Sequence, residues 1–101
     1  MEFVTVNYSL NQTYNVHKNV FTQIVDKVAS NFKKELRITE EIQANVIKGG
    51  EDIEFIIEIA IDKTGDASKI ILDFSKAIEE RVVDIINSKP SNIQIKLTRR
   101  F

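Results

Sequence analysis

Apolar and polar residues alternate most regularly between Ile42 and Ile61, and this pattern predicts a β-hairpin. Every second residue from Ile53 to Ile61 is apolar, which is typical of a strand with one buried face. The preceding run alternates as well, with apolar Ile42, Ala44 and Val46 separated by polar Gln43 and Asn45. A Gly-Gly pair followed by two acidic residues joins the runs. Because glycine reaches positive φ values, we expect a tight turn there.

The first 16 residues also alternate, although less regularly. Residues 3 to 10 place Val4, Val6, Tyr8 and Leu10 on one set of positions and Thr5, Asn7 and Ser9 on the other. This pattern predicts a half-buried first strand. Three polar residues at 11–13 then interrupt the alternation, which resumes at Tyr14 and Val16. The region is therefore either one strand with a bulge or two short strands.

Two other segments have the period of an amphipathic helix. From His17 to Phe32 the apolar residues recur every three to four positions, and Asn15 is the expected N-cap. The second helix follows a polar turn, with Asp66 as its expected cap, and Pro90 is expected to end it. Its apolar side consists of Ala67, Ile70, Ile71, Phe74, Ala77, Ile78, Val82, Ile85 and Ile86. Leu36 and Ile38 are expected to pack beneath the connection between the first helix and the hairpin.

A last alternating run, Ile93 to Leu97, completes the order β-α-β-β-α-β. This order predicts an α+β fold, a two-layer sandwich of a mainly antiparallel sheet with both helices on one face. Ile56 and Ala60 make the outer face of the third strand partly apolar, so we place that strand in the middle. The residues expected to be buried together are Phe21, Val25, Ile57, Ile59, Phe74 and Ile78.

The outer face of the predicted sheet is polar and should be hydrated. Besides Ile56 and Ala60 it carries Thr5, Asn7, Gln43, Asn45, Glu54, Glu58, Gln94, Lys96 and Thr98. The run from Glu41 to Lys48 is expected at an edge of the sheet. It contains no proline and only one lysine, at its end, to discourage pairing with another chain.

Composition limits the function classes. At 101 residues the chain is expected to form one domain, residues 1–101. There is no cysteine, which excludes disulfides and thiolate chemistry. Fourteen basic and 15 acidic residues give a net charge of −1, so no overall field attracts nucleic acid or anionic lipid. The start of the chain is acidic and no apolar run could span a bilayer, so a cytoplasmic location without membrane insertion is expected.

The sharpest local match to an enzyme motif is Asp62-Lys63-Thr64-Gly65. Cation-pumping ATPases phosphorylate an aspartate in this sequence, between a strand and a helix. Those enzymes also need a nucleotide-binding domain, for which this chain has no room. A polar turn that uses Gly65 for its conformation and Asp66 for capping explains the same residues.

Other candidate chemistry is weaker. His17 is the single histidine and has no second histidine or cysteine with which to form a common metal site. Neither Ser68 nor Ser75 lies in a nucleophile motif. Glu54 and Glu58 share a strand face, but an open sheet lacks the cleft that would separate two carboxyl pKa values. We therefore predict no catalytic residue, no metal ligand and no cofactor, and expect a non-enzymatic protein.

RNA binding is the alternative, because the commonest RNA-binding sheet has the same order of elements. Such sheets stack bases on aromatic rings of their central strands. The corresponding positions here hold Thr5, Asn7, Glu54, Ile56 and Glu58, none of which has a ring. Gly49-Gly50 does not form the GXXG loop of another RNA-binding module. The basic cluster Arg99-Arg100-Phe101 is the remaining signal, so a ribosome- or RNA-associated module stays the second hypothesis.

Three segments together resemble the bacterial alkaline shock protein family. Residues 14–21 are similar to its strand-to-helix entry, residues 42–61 to its hairpin, and residues 70–97 to its long helix, loop and closing strand. The resemblance covers most of residues 14–98. It implies a non-enzymatic bacterial protein of envelope stress or homeostasis, which acts by self-assembly or through a membrane-anchored partner at the inner face of the membrane. The expected interaction surface consists of Gln43, Asn45, Glu54, Ile56, Glu58 and Lys96.

Overall fold

The computed structural model describes residues 2–101, which form two helices and six strands. The predicted α+β class is confirmed, although β3 was not predicted. In chain order the elements are β1 (Phe3–Ser9), β2 (Gln12–His17), α1 (Lys18–Ser30), β3 (Leu36–Ile38), β4 (Gln43–Ile47), β5 (Asp52–Ile61), α2 (Ala67–Ile86) and β6 (Asn92–Arg100). A short 3-10 turn, Lys48–Gly50, joins β4 to β5.

Strand β5 is the centre of the main sheet, which confirms its predicted position. It pairs antiparallel with β4 along its first half and with β3 along its second half. Its other side pairs with β6, which runs parallel to it. Antiparallel pairs are the majority, but this parallel pair was not expected. It arises because α2 carries the chain back to the start of β5 before β6 begins, so β6 runs in the same direction as β5.

The N-terminal segment forms two strands rather than one bulged strand. β1 pairs antiparallel with β2 in a separate two-stranded sheet, with Ser9 opposite Gln12 across the turn. Val4, Val6 and Val16 are buried in the core. Thr5 and Asn7 are exposed on this hairpin, so their expected place on the outer face of the main sheet is wrong. The reason is that the chain reverses at residues 10–11 and β1 pairs with its neighbour in sequence.

The helix ends follow from side-chain and backbone capping. The ring Nδ1 of His17 accepts a hydrogen bond from the backbone N–H of Asn19 at 3.0 Å, so His17, and not Asn15, is the N-cap of α1. Asp66 caps α2 as predicted, accepting from the N–H of Lys69 at 3.2 Å. α2 ends at Ile86 because Asn87 adopts the left-handed conformation, with φ of 60°. Pro90, which was expected to end α2, lies after the helix has already ended at Ile86.

The core lies where the odd-numbered residues of β5 meet both helices. The six predicted core residues are all fully buried in one cluster: Phe21, Val25, Ile57, Ile59, Phe74 and Ile78. Leu36 and Ile38, expected beneath a connection, form β3 and pair with β5. The predicted hairpin turn is also confirmed, since Gly49 and Gly50 have φ of 66° and 93°. The two-layer sandwich as a whole stays a prediction.

Candidate interaction surface

The more exposed side of the main sheet brings the six predicted surface residues together. One row across the sheet is Gln43, Ile56 and Gln94, and the next is Asn45, Glu54 and Asn92. A third row pairs Glu58 with Lys96. Neighbouring strands lie about 4.8 Å apart, so side chains in these rows share one surface. We call this set the sheet surface: Gln43, Asn45, Glu54, Ile56, Glu58, Lys96, with Asn92 and Gln94 added by the structure.

The centre of the sheet surface is apolar and its surroundings are polar. Ile56 and Glu54 are half-buried on the central strand, whereas the amide residues on the flanking strands are exposed: Gln43, Asn45, Asn92 and Gln94. A carboxamide group offers both donors and acceptors. A partner that covers this surface would therefore remove Ile56 from water. The surrounding amide groups would form hydrogen bonds with the partner's backbone or polar groups.

Basic residues occupy the opposite end of the same side. Arg37 and Arg99 both lie opposite Ala60, on the two sides of β5. The guanidinium carbon of Arg37 lies 4.0 Å from the centre of the Phe101 ring, a cation–π contact. Lys96 lies between this basic end and the amide residues. The side of the sheet is thus divided into an amide-rich part with two glutamates and a basic part with one ring.

Asp62, the residue of the ATPase-like motif, lies in a turn just after β5. Its Oδ1 accepts from the backbone N–H and from the hydroxyl of Thr64, both at 2.8 Å. These bonds hold the pKa of the carboxyl below its ordinary value. Desolvation opposes them more weakly, and the charges of Arg100 and Arg37 lower the pKa by still smaller amounts. This geometry matches the predicted polar turn, but Gly65 does not adopt a positive φ. Its missing side chain instead leaves room for Ile70, whose Cδ1 would lie 2.7 Å from a Cβ at position 65.

The Arg100 guanidinium fastens the same turn to the end of β6. Its Nη2 donates to the carbonyl oxygens of Asp62, Lys63 and Gly65, at 3.0, 3.2 and 2.7 Å. The backbone N–H of Lys63 also donates to the carbonyl oxygen of Phe101. Arg100 and Phe101 therefore tie the loop between β5 and α2 to the end of β6.

The remaining candidate residues do not converge. His17 caps α1 through Nδ1, and its Nε2 lies 4.0 Å from the carboxylate of Glu2. Among residues 2–101 no group of three or more histidine, aspartate or glutamate side chains is placed to hold a metal ion. In that part of the chain no helix is both long enough and apolar enough to cross a membrane.

Two edges border the sheet surface. Within residues 2–101 β4 pairs with β5 alone, so the run from Glu41 to Lys48 lies at an edge as predicted. The first turn of α1 lies beside this edge and forms with it a groove of about 320 Å³, lined by Lys18, Asn19, Thr22, Glu41, Ile42, Gln43, Ala44 and Asn45. The second edge, along β6, was not singled out from the sequence.

The alternation of apolar and polar residues also did not identify the hairpin of β1 and β2 as an uncharged, partly apolar surface. Phe3, Tyr8, Leu10 and Tyr14 are exposed large apolar residues of β1, β2 and the turn between them. No charged residue occurs from position 3 to position 16, and this gap in the charge pattern could have drawn attention to the segment. The hydroxyl of Tyr14 donates to the carbonyl oxygen of Ile85, which ties the hairpin to the end of α2.

Comparisons of this chain with protein-family models, with curated proteins and with solved structures found no match. The resemblance to alkaline shock proteins therefore rests on the three segments described above and stays a prediction.

Proposed function

We propose that this protein is a non-enzymatic interaction domain that binds another protein through the sheet surface. The observation that carries the proposal is the half-buried Ile56 of β5, flanked by exposed amide residues on the two neighbouring strands, β4 and β6. Protein interfaces have this composition, an apolar centre within a polar rim. Glu54, Glu58 and Lys96 add charges of both signs, which would fix the orientation of a partner.

The resemblance to alkaline shock proteins supplies the cellular setting of the proposal. It places the protein in a bacterial cytoplasm or at the inner face of the membrane, in envelope stress or homeostasis. A membrane-anchored partner or a second copy would recruit it there. No cofactor or metal takes part.

The test compares two substitutions of half-buried apolar residues, each flanked by acidic side chains. Ile56→Lys lies between Glu54 and Glu58 on the sheet surface, and Val83→Lys lies among Glu79, Glu80 and Asp84 on α2. Immobilised protein is exposed to an extract of the source cell, and captured proteins are quantified by mass spectrometry. We expect a partner bound by the parent and by Val83→Lys to be lost with Ile56→Lys. Circular dichroism must show that both variants are folded. An unchanged set of captured proteins for folded Ile56→Lys would exclude the sheet surface.

RNA binding remains the second candidate because of the basic part of the same side. Arg37 lies over the Phe101 ring, and Arg99 and Lys96 lie on the same side of the sheet. Base stacking with basic neighbours is a general mode of single-strand binding. Three phosphate contacts would give a salt slope of about −2 in log affinity against log salt concentration. Fluorescence anisotropy with a labelled single-stranded RNA distinguishes the candidates. Binding with that slope, lost in Arg37→Ala and Arg99→Ala, would favour RNA over a protein partner.

A further inference from the structure

Hydrogen bonds at the two ends of β6 show which backbone groups of β5 point toward β4. The carbonyl oxygen of Ile53 accepts from the N–H of Ser91, just before β6, at 3.0 Å. The carbonyl oxygen of Ile61 accepts from the N–H of Phe101, just after β6, at 2.9 Å. Backbone groups of successive strand residues point to opposite sides. The odd-numbered residues of β5 therefore face β6, and the even-numbered residues face β4.

The free border of β4 carries the backbone groups of Ala44. Gln43 and Asn45 lie opposite Ile56 and Glu54, which are even-numbered, and so direct their N–H and C=O groups toward β5. Ala44 lies between them and directs its own N–H and C=O to the other side, where residues 2–101 place no strand. Free groups of this kind can pair with an added strand.

Helix α1 and this border enclose a groove. The part next to Ala44 has a volume of about 320 Å³ and reaches Lys18 at the start of the helix. A neighbouring part of about 270 Å³ extends to Asp26 of the helix and Glu40 of the loop before β4. The two parts share four lining residues: Asn19, Thr22, Glu41 and Ile42. A sheet edge can accept an extended peptide as an additional strand, and pockets beside the edge receive its alternate side chains.

The groove has opposite charges at its two ends. Lys18 lies at the end near the start of α1. Asp26, Glu40 and Glu41 lie at the other end, where all three are exposed. None of these three carboxylates takes part in the ion pairs within residues 2–101. Because complementary charges select and orient a partner, the matching occupant has a basic side chain at the acidic end.

β4 lacks the features that protect the other border of the main sheet. On β6, Lys96 lies within the strand, and the register with β5 shifts after Leu97. Lysines and bulges at an edge discourage pairing with another chain. β4 pairs with β5 without a shift, and none of its residues from Gln43 to Ile47 is charged. The border of β4 is therefore more open to an added strand than that of β6.

We propose that the groove binds an extended segment of a partner protein, which pairs with β4 at Ala44 and places a lysine or arginine beside Glu41. The inference rests on the proposed function, a protein-interaction domain, and identifies the kind of segment that the partner supplies. An added strand would extend the sheet surface beyond Gln43 and Asn45. One partner would then contact the groove and the sheet surface together.

The experiment selects binding peptides from a random library of nine-residue peptides displayed on phage, with the full chain immobilised. We expect the selected peptides to share a lysine or arginine at one position. The most enriched peptide is then synthesised with a fluorescent label, and anisotropy measures its dissociation constant. Glu41→Lys should raise this constant about tenfold, because attraction at the acidic end becomes repulsion. Glu80→Lys, the same charge change at an exposed residue of α2, should leave it unchanged.

Amide hydrogen exchange of the parent protein tests the backbone pairing without any substitution. In the free protein the N–H of Ala44 should exchange faster than those of Gln43 and Asn45, which are bonded to β5. The bound peptide should slow the exchange of Ala44, because its N–H then donates to the added strand.

Three results would each overturn the inference: no enriched peptide, equal effects of Glu41→Lys and Glu80→Lys, or a bound peptide that leaves the exchange of Ala44 unchanged. The proposed function is tested separately by Ile56→Lys, since Ile56 does not line the groove. A protein whose capture depends on Ile56 would support the sheet surface even if the groove bound no peptide.

Discussion

Asp62 uses its side chain and its backbone for different contacts at the end of the central strand. The carboxylate accepts from Thr64 within the turn, while the carbonyl oxygen accepts from Arg100. The first set of bonds shapes the turn, and the second attaches it to the end of β6. A residue that the sequence singles out as a possible phosphorylation site thus has a structural role in this protein.

The lowered pKa of Asp62 predicts a dependence of stability on pH. The unfolded chain binds the proton at about the ordinary pKa of 3.8, whereas the folded chain binds it only at lower pH. The ionised carboxylate therefore stabilises the fold above the unfolded pKa, and this contribution is lost as the pH falls through the lowered pKa of the folded state. Asp62→Asn should remove it. The difference in free energy of unfolding between parent and variant, from urea titrations, should shrink from about pH 6 to about pH 2.

Thr64→Ala is the companion variant, because it deletes the hydroxyl donor and keeps the backbone donor. It should show part of the same pH dependence. A parent–Asp62→Asn difference that stays constant across the acid range would contradict the role given to these hydrogen bonds.

Phe74 gives the firmest prediction about stability. Its side chain is fully buried, and its ring meets the Phe32 ring edge-on with centroids 5.7 Å apart. Phe74→Ala should lower the free energy of unfolding by about 3 to 5 kcal/mol, through lost burial and the cavity left behind. Chemical denaturation followed by circular dichroism measures the change. A loss below about 1 kcal/mol would be incompatible with a fully buried ring.

At the residue scale, burial could be predicted better than capping. The periods of 2 and 3.6 identify which residues of β5, α1 and α2 face the core, and the six predicted core residues are buried. The N-cap of α1 could not be identified in this way. Pairing of Phe3 with His17 extends β2 up to the helix and keeps Asn15 in the strand. That pairing depends on a distant segment, which local sequence preferences do not report.

At the scale of elements, all predicted helices and strands exist. The sequence did not predict the direction of β6 relative to β5 or the separate pairing of β1 with β2. Alternation of apolar and polar residues is the same in parallel and antiparallel strands, so the pattern at 92–100 could not give the direction of β6. The reversal at residues 10–11 contains Asn11 but lacks glycine and proline, the strongest turn signals. For that reason the sequence left one bulged strand and two short strands as equal alternatives.

The cap of α2 provides a test at this scale. The Asp66 carboxylate accepts from the N–H of Lys69, one of the first backbone donors of the helix, which have no partner within it. Asp66→Ala should cost about 1 kcal/mol in free energy of unfolding, within a range of about 0.5 to 2. Asp66→Asn keeps an acceptor oxygen and should cost less. Thermal unfolding of the three proteins side by side measures both effects, and equal losses would assign the stabilisation to the negative charge alone.

At the scale of the whole molecule, the sequence could predict the composition of the sheet surface but not its borders. Because β5 is central and alternates strictly, Glu54, Ile56 and Glu58 had to share one side. Asn92 belongs to the surface only through the parallel register of β6 with β5, which brings it opposite Glu54. The partner depends on another molecule's surface, so no pattern within this chain identifies it.

The separate β1–β2 hairpin implies that the native protein opens in parts. Two-stranded sheets are marginally stable alone, and this one depends on three buried valines and on the Tyr14 contact with Ile85. Native-state hydrogen exchange should therefore detect a partial opening in which amides of β1 and β2 exchange with little dependence on denaturant. Amides of β5 should exchange only through global unfolding, with its full denaturant dependence. If the amides of the hairpin and of β5 exchanged with one free energy, the chain would instead be a single cooperative unit from β1 to β6.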